Sequence, residues 1–298
     1  MSHLAERIRS ATPKRARRKI LNARFGARVP TSNLRALPDF LIIGAQRGGT
    51  SSLYRYLGDH PQIVPSLRKE TEYLSRRYAS GISWYKAHFP LRARLVGRTR
   101  LTGTKTLTFE ATPDYIYYTH APARAAAILP EAKIIVLLRD PVERAHSHYQ
   151  HMVRLGFETM TFEEALAAEE NRIQPDLDAL DLDPLHYCRD SLRFSYVSRG
   201  FYLDQLTGWM EHFPRERFMI ASSEDFFADP AGVYREILSF LDLRSWTPAN
   251  LANFSYPSGR TERASPIDAA TRHRLVDIFR PHNERLFAFL DRDLGWNI

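Results

Sequence analysis

The sequence predicts an α/β protein with a P-loop-like, three-layer fold: a central parallel sheet covered by helices on both faces. Three observations point to it. Short, almost wholly apolar runs, Phe40-Leu-Ile-Ile-Gly44 and Lys133-Ile-Ile-Val-Leu-Leu138, suit strands buried on both faces. Helical patterns alternate with these runs, as the units of a parallel sheet require. A glycine-bearing turn, Gln46-Arg-Gly-Gly-Thr-Ser-Ser52, joins the first run to a helix.

The elements follow in order. Phe40–Gly44 is the first strand, and the helix after it runs from about Thr50 to Asp59, stopping at Gly58-Asp-His-Pro61. Ile82–Phe89 and Pro122–Leu129 read as helices, and Lys133–Leu138 as the second buried strand. Asp140 can cap a helix whose first residue is Pro141. Thr161-Phe-Glu-Glu164 is a capping box opening another. Residues 173–190, rich in Asp and Pro, are expected as a loop, and Ser191–Phe213 as one long helix. Phe218–Ala221 is a third core strand, Pro230–Leu241 a helix, and 244–266 irregular. Leu275, Ile278, Phe279, Leu286, Phe289 and Leu290 then recur at helical spacing before Trp296.

Composition narrows the function. With 298 residues, 44% hydrophobic and 26% charged, the chain is neither disordered nor fibrous. One cysteine, Cys188, rules out an internal disulfide framework or a cysteine-cluster zinc site, and suits a reducing, cytoplasmic setting. Residues 1–35 hold ten basic side chains and one acidic, Glu6, so the net charge of +8 belongs to this segment rather than to the rest. Residues 1–36 are therefore expected as a flexible basic arm ahead of a single domain, 37–298. Such an arm is a solvated tail or an electrostatic tether to an anionic membrane surface. An Arg-rich, acid-poor segment also fits an organelle transit peptide, whereas no apolar stretch follows Arg17-Arg18 to make an export signal. No specific nucleic-acid partner is expected.

Two motifs are built for anions. Gly44-Ala-Gln-Arg-Gly-Gly49-Thr-Ser51 has the glycine frame of a phosphate loop, but Thr50 stands where a nucleoside-triphosphate loop carries lysine; the cation is Arg47. After the second strand comes Arg139, where a magnesium-binding carboxylate would be expected. Mg²⁺ with a triphosphate fits poorly, and a phosphate bearing a less charged transferable group fits better. Arg139 offers a planar fork of donors, with the Ser147 hydroxyl about two turns into the next helix. An ion pair to its own helix is the ordinary alternative for Arg139, and a ligand-free glycine turn for the loop. His146, His148 and His151 have no carboxylate or cysteine partners at metal spacing, and no metal is assigned. The aromatics Tyr115, Tyr117, Tyr118, Phe194, Tyr196 and Tyr202 suit either a sugar or lipid cleft or a core.

Together these residues resemble the PAPS-dependent sulfotransferase family (PAPS is 3′-phosphoadenosine-5′-phosphosulfate), in the branch of heparan sulfate sulfotransferases and their bacterial relatives. Ile43–Leu53 resembles its 5′-phosphosulfate loop, and Ile135–Ser147 its 3′-phosphate site. Lys69-Glu70-Thr-Glu-Tyr73 is similar to the segment carrying the catalytic base. Glu110-Ala-Thr-Pro-Asp-Tyr115, Gly200-Phe-Tyr202 with Leu206 and Trp209, and Asp293-Leu-Gly-Trp296 match further segments. The resemblance implies transfer of a sulfuryl group from PAPS, without metal, to a hydroxyl or amine of an acceptor, foremost a carbohydrate or glycolipid. It assigns catalysis to Arg47 and Glu70, and PAPS binding to Arg47, Gly48, Gly49, Thr50, Ser51, Ser52, Arg139, Ser147 and Arg260.

The chain departs from the family pattern at three places. Arg47 replaces the usual loop lysine and cannot release a proton. Ala111 stands where some members have lysine, leaving Lys105 as a candidate substitute. Ser258-Gly-Arg260 only partly matches the cofactor lid. The rival enzyme class is a P-loop kinase of a small molecule or sugar. The rival of another class is a nucleic-acid or membrane-surface adaptor working through the arm.

Overall fold

The computed structural model describes residues 14–249, 251 and 266–296. Its elements are helix α1 (Lys14–Gly26), strand β1 (Phe40–Gly44), α2 (Thr50–Asp59), β2 (Ile63–Pro65), α3 (Gly81–Lys86) and α4 (Arg92–Thr102). Next come β3 (Leu107–Ala111), α5 (Ala121–Ile128), β4 (Lys133–Leu138), α6 (Pro141–Arg154), α7 (Phe162–Ala167), α8 (Glu169–Leu182) and α9 (Arg189–Phe194). The last are α10 (Tyr202–Met210), β5 (Phe218–Ser222), α11 (Ser223–Ala228), α12 (Pro230–Phe240) and α13 (Ala269–Leu290).

The sheet is parallel throughout, in the order β2-β3-β1-β4-β5. Alternation along β1 explains the three layers. Leu41 and Ile43 face one apolar layer, with Ile134, Val136, Trp209 and Leu286. Phe40 and Ile42 face the other, with Phe109, Leu53, Tyr56 and Ile237. Successive side chains of a strand point to opposite faces, so only an unbroken apolar run satisfies both layers. A third cluster lies between α6 and α13, where Val142, Ala145 and Met152 meet Phe162, Tyr196, Leu275 and Phe279.

Strands β1, β4 and β5, the helices after the first two, and the capping box at Thr161 lie where the sequence placed them to within a residue or two. Other stretches differ. Residues 173–190 are largely helical: α8 carries Pro175 inside it and buries Ile173 and Leu180, whose packing outweighs the missing hydrogen bond. The helix expected over Ser191–Phe213 is broken between α9 and α10. There the buried Glu169 carboxylate accepts from the amides of Val197 (2.6 Å) and Ser198 (2.9 Å), taking donors that a continuous helix would use internally. Gly200 sits in the break, where a Cβ would lie 2.5 Å from the Phe279 ring.

Part of the basic arm has structure. α1 is held down by Phe25, whose ring lies 4.6 Å from His88 and 5.5 Å from Trp84 between centroids. Most of the irregular stretch at 244–266, Arg260 included, lies outside the described residues. Among the described residues no helix is long and apolar enough to cross a membrane.

Candidate active site

Strand order turns outward in both directions from β1, and ligand crevices form at such switch points, beyond the carboxyl ends of the strands. A cavity of about 760 Å³ lies there, lined by the loop after β1, the start of α2, Lys69, Glu70, Arg139 and Ser147, among others.

The loop is shaped by its glycines. Gly48 donates its amide to the Ala45 carbonyl at 3.0 Å, and Arg47 and Gly49 have φ of 71° and 91°. A Cβ on Gly48 would stand 2.6 Å from the Leu137 carbonyl oxygen, so only glycine lets the loop lie against β4. The Ser223 hydroxyl donates to the Gly48 carbonyl at 2.7 Å and ties the loop to α11. Gly49 is the N-cap of α2 and offers no side-chain cap. The first amides of α2 thus lack the side-chain oxygen that would otherwise accept from them, and the positive end of the helix dipole meets the cavity. Thr50, Ser51 and Ser52 line it, Thr50 and Ser52 being buried.

The second motif adjoins the first. Asp140 caps α6, accepting from the amides of Val142 (2.8 Å) and Glu143 (3.2 Å), with Pro141 at the first helical position. Asp140 thus serves its own helix, while Arg139 donates to the Arg47 carbonyl at 3.1 Å. The Tyr202 hydroxyl donates to the Arg139 carbonyl at 2.8 Å. Arg47 Nε in turn donates to Ser147 Oγ at 3.0 Å, so the cation of the first motif reaches the hydroxyl of the second.

Ser147, His151 and Arg154 share one face of α6 and all line the cavity. Burial, with Arg47 and Arg154 nearby, holds His151 below the ordinary imidazole value. It is neutral at pH 7, and its Nδ1 accepts from Arg154 Nη2 at 2.6 Å. His148 is buried against Tyr196, and His146 contacts Gln150. Among the described residues, no three His, Cys, Asp or Glu side chains come together as a metal would need.

The opposite wall is acidic and basic by turns. Glu70 contacts the Lys69 ammonium, and its backbone amide donates to Ala111 at the end of β3 at 2.9 Å. Glu72 pairs with Arg76 at 2.6 Å, and Asp114 with Arg199 at 2.8 Å. Burial pushes the Glu72 carboxyl up. At Asp114 burial acts the same way, but Arg199 and Arg76 outweigh it and hold that carboxyl below its ordinary value. Among the described residues five non-glycines have left-handed φ, and three of them, Arg47, Glu70 and Glu72, line this cavity. Such conformations cost about 1–3 kcal/mol each and gather where function over-determines the backbone.

Behind this wall, Glu110 is fully buried. It accepts from Thr71 (2.5 Å), Tyr85 (2.5 Å), Thr112 (3.0 Å) and Tyr115 (3.1 Å). Thr71 follows Glu70, so Glu110 anchors the turn that presents that residue. Glu110→Ala should destabilise the fold by at least about 3 kcal/mol in urea titration, because several buried hydroxyls lose their acceptor. Burial raises the folded-state pKa of Glu110. Its contribution is therefore full below the unfolded value and declines as pH rises through the folded one. The deficit of the variant should accordingly shrink as pH rises.

The fold thus brings Arg47, Gly49, Thr50, Ser51, Ser52, Glu70, Arg139 and Ser147 to one cavity, with Gly48 buttressing the loop. Lys105 is not there. It lies at the other end of the sheet, highly exposed and 3.5 Å from Asp39 before β1, so it does not replace the cation missing at Ala111. None of the six candidate cleft aromatics lines the cavity; Tyr115, Tyr118, Phe194, Tyr196 and Tyr202 are core. Sequence reading missed Glu72, Arg76, Asp114 and Arg154. Arg154 had a signal, the i, i+4, i+7 spacing from Ser147 through His151. Glu72 and Asp114 lay inside segments already singled out.

A parallel sheet with a glycine loop feeding a helix at the carboxyl end of its central strand, and a basic strand–helix junction beside it, is the P-loop-like class of α/β proteins. The family profile described as sulfotransferase domain matches residues 37–265, and the chain belongs to that family. The solved sulfotransferase from Alicyclobacillus acidocaldarius is 30% identical, with a TM-score of 0.65 over 87% of this chain and 97% of that one. Mouse heparan sulfate glucosamine 3-O-sulfotransferase 3B1 is 30% identical over 285 residues, 88% of this chain and 65% of that protein. A bifunctional heparan sulfate N-deacetylase/N-sulfotransferase from Caenorhabditis elegans is 27% identical over 87% of this chain and 30% of its own length. The chain therefore spans just under two thirds of the mouse enzyme and under a third of the nematode one.

Proposed function

We propose that residues 37–298 form one catalytic domain that transfers a sulfuryl group from PAPS to a hydroxyl or amine of a glycan or glycoconjugate. The observation carrying this reading is the link from Arg47 to Ser147, which joins two anion-holding motifs in a cavity that also holds Glu70. The donor set suits the ligand. The uncapped start of α2 with Thr50, Ser51 and Ser52 would hold the 5′-phosphosulfate end, on a loop that lies against β4 because position 48 has no Cβ. Arg139 and Ser147 would hold the 3′-phosphate. Arg260 is the further candidate, from its position in the sequence.

PAPS supplies a sulfuryl group already bonded to a phosphate leaving group. Arg47 and the amides of the loop would stabilise negative charge growing on that phosphate, in donors already fixed before the reaction. The proton of the attacking group would pass to the Glu70 carboxylate. Lys69 contacts Oε1 of that carboxylate, leaving Oε2 as the candidate acceptor. A glycan acceptor is supported by the activities of the mouse and nematode relatives, both heparan sulfate enzymes. A cytoplasmic setting goes with this reading through the single, buried Cys188.

Thermal-shift measurement separates this reading from a kinase. Adenosine 3′,5′-bisphosphate should raise the melting temperature, and ATP with Mg²⁺ should not. Arg139→Ala should weaken the bisphosphate about 10- to 100-fold, the worth of a charge-assisted hydrogen bond. Equal protection by ATP with Mg²⁺, unaffected by Arg139→Ala, would replace this reading with phosphoryl transfer.

A further inference from the structure

We infer that the surface built by α1, α4 and the turn between α1 and β1 docks on an anionic lipid bilayer, with Arg side chains on the headgroups and exposed aliphatic side chains entering the interface. The charge distribution carries the argument first. Residues 7–38 contain ten basic side chains and no acidic one, and residues 73–109 contain eight and none, so all 34 acidic residues of the chain lie elsewhere.

The fold brings these two distant segments together. Arg35 bridges to Leu91, the Ala36 amide donates to the Pro90 carbonyl at 3.0 Å, and Arg35 Nη1 donates to the Phe89 carbonyl at 2.9 Å. Arg28 is held below the ordinary guanidinium value, at about 10, by burial and then by Arg35, Arg24 and Arg94, which places cations of both segments close to one another. No carboxylate of either segment relieves that repulsion. An outside anion would.

The second observation concerns apolar groups. No residue of α4 is buried, and neither is any described side chain of α1, in contrast to every other described helix of eight residues or more. The outward face of α4 carries Val96 (50% exposed) between Arg92 and Arg100, with Leu101 (89%) alongside. Leu34 (55%) stands at the seam beside the Arg35–Leu91 bridge, and Ile20 (54%) on α1. A soluble polyanion would use the arginines and leave these aliphatic side chains in water. A bilayer interface takes both, which is the signature of helices that lie in the headgroup plane.

Geometry agrees with this placement. α4 leads by way of Lys105 to the amino end of β3, and Lys105 pairs with Asp39 just before β1. The cavity lies beyond the carboxyl ends of the strands, at the other end of the sheet from the junction of α4 with β3, while α1, whose Asn22 contacts Arg68, reaches toward the Lys69 side of it. The inference does not depend on the chemistry in the cavity.

The test is cosedimentation of the full chain with vesicles of phosphatidylcholine alone or with about 30% phosphatidylserine, at about 0.1 M salt. Binding should require phosphatidylserine. Arg94→Glu with Arg100→Glu should weaken partitioning on the order of tenfold or more, since each basic side chain near the surface contributes appreciably. Val96→Gln with Leu101→Gln should weaken it comparably while leaving retention on a heparin column unchanged. Both double variants alter exposed positions of α4 and should keep wild-type melting temperatures. Equal binding to both vesicle types would overturn the inference. So would wild-type partitioning of the Val96→Gln, Leu101→Gln variant, which would make the surface a polyanion site, or of both variants, which would leave α4 no role.

Discussion

Glu70→Gln should reduce sulfuryl transfer about 10²- to 10⁴-fold while leaving affinity for adenosine 3′,5′-bisphosphate unchanged. The range is what a positioned general base contributes. The amide keeps the size of the side chain but cannot take the proton of the attacking group. It also turns the ion pair with the Lys69 ammonium into a hydrogen bond to a neutral amide oxygen, a change that matters little for stability at so exposed a side chain. The decisive comparison is turnover against nucleotide affinity. A fall in both would make Glu70 a binding residue, and full turnover would remove it from the chemistry. The backbone makes the position specific: at φ 62°, anchored to the Ala111 carbonyl, Glu70 is held at the cavity wall rather than left on a mobile surface turn.

Arg47→Ala should lower turnover about 10²- to 10³-fold, the usual loss when a preorganised donor to a developing anion is removed. Its effect on bisphosphate affinity should be smaller than its effect on turnover. Arg47→Lys should recover part of the rate, because charge can be restored, but not all of it, because one ammonium cannot reproduce the hydrogen bond to Ser147 and a second contact with the same planar geometry. The measurement is kcat and KM for both variants beside the dissociation constant of the bisphosphate. If Arg47→Ala changed only KM, the guanidinium would act equally on bound donor and transition state, and the electrostatic role assigned to it would fail.

The parts of the fold legible in the sequence share a physical cause. β1, β4 and β5 are read easily because both faces of each strand meet apolar layers and the residues are accordingly apolar. β3 hides because Thr108 and Glu110 are polar inside a buried strand, their needs met by the Val64 carbonyl and by a cluster of hydroxyls from other segments. β2 hides because it is three residues long, with Pro65 admissible at the sheet edge. The break before α10 depends on Glu169, nearly thirty residues away, and no local pattern announces it.

The site divides in the same manner. Its anion-holding half is local, a glycine loop and a capped helix start, and so can be read from spacing. Its acidic half is assembled by contacts such as Arg199 with Asp114, 85 residues apart, which only the folded chain reveals. Arg47 was expected at the transferring end of the donor. Here its Nε donates to Ser147 Oγ, which leaves that hydroxyl's own hydrogen available for the 3′-phosphate proposed there.

The hydroxyl cage around Glu110 has a bearing on how variants of this enzyme family should be sorted. A screen that scores product alone would class a substitution at Glu110 with those at Glu70, since slackening the Thr71 anchor displaces the neighbouring carboxylate. Melting curves taken alongside would part the two groups: damage radiating from the interior softens the whole molecule, whereas a missing proton acceptor leaves it as firm as before.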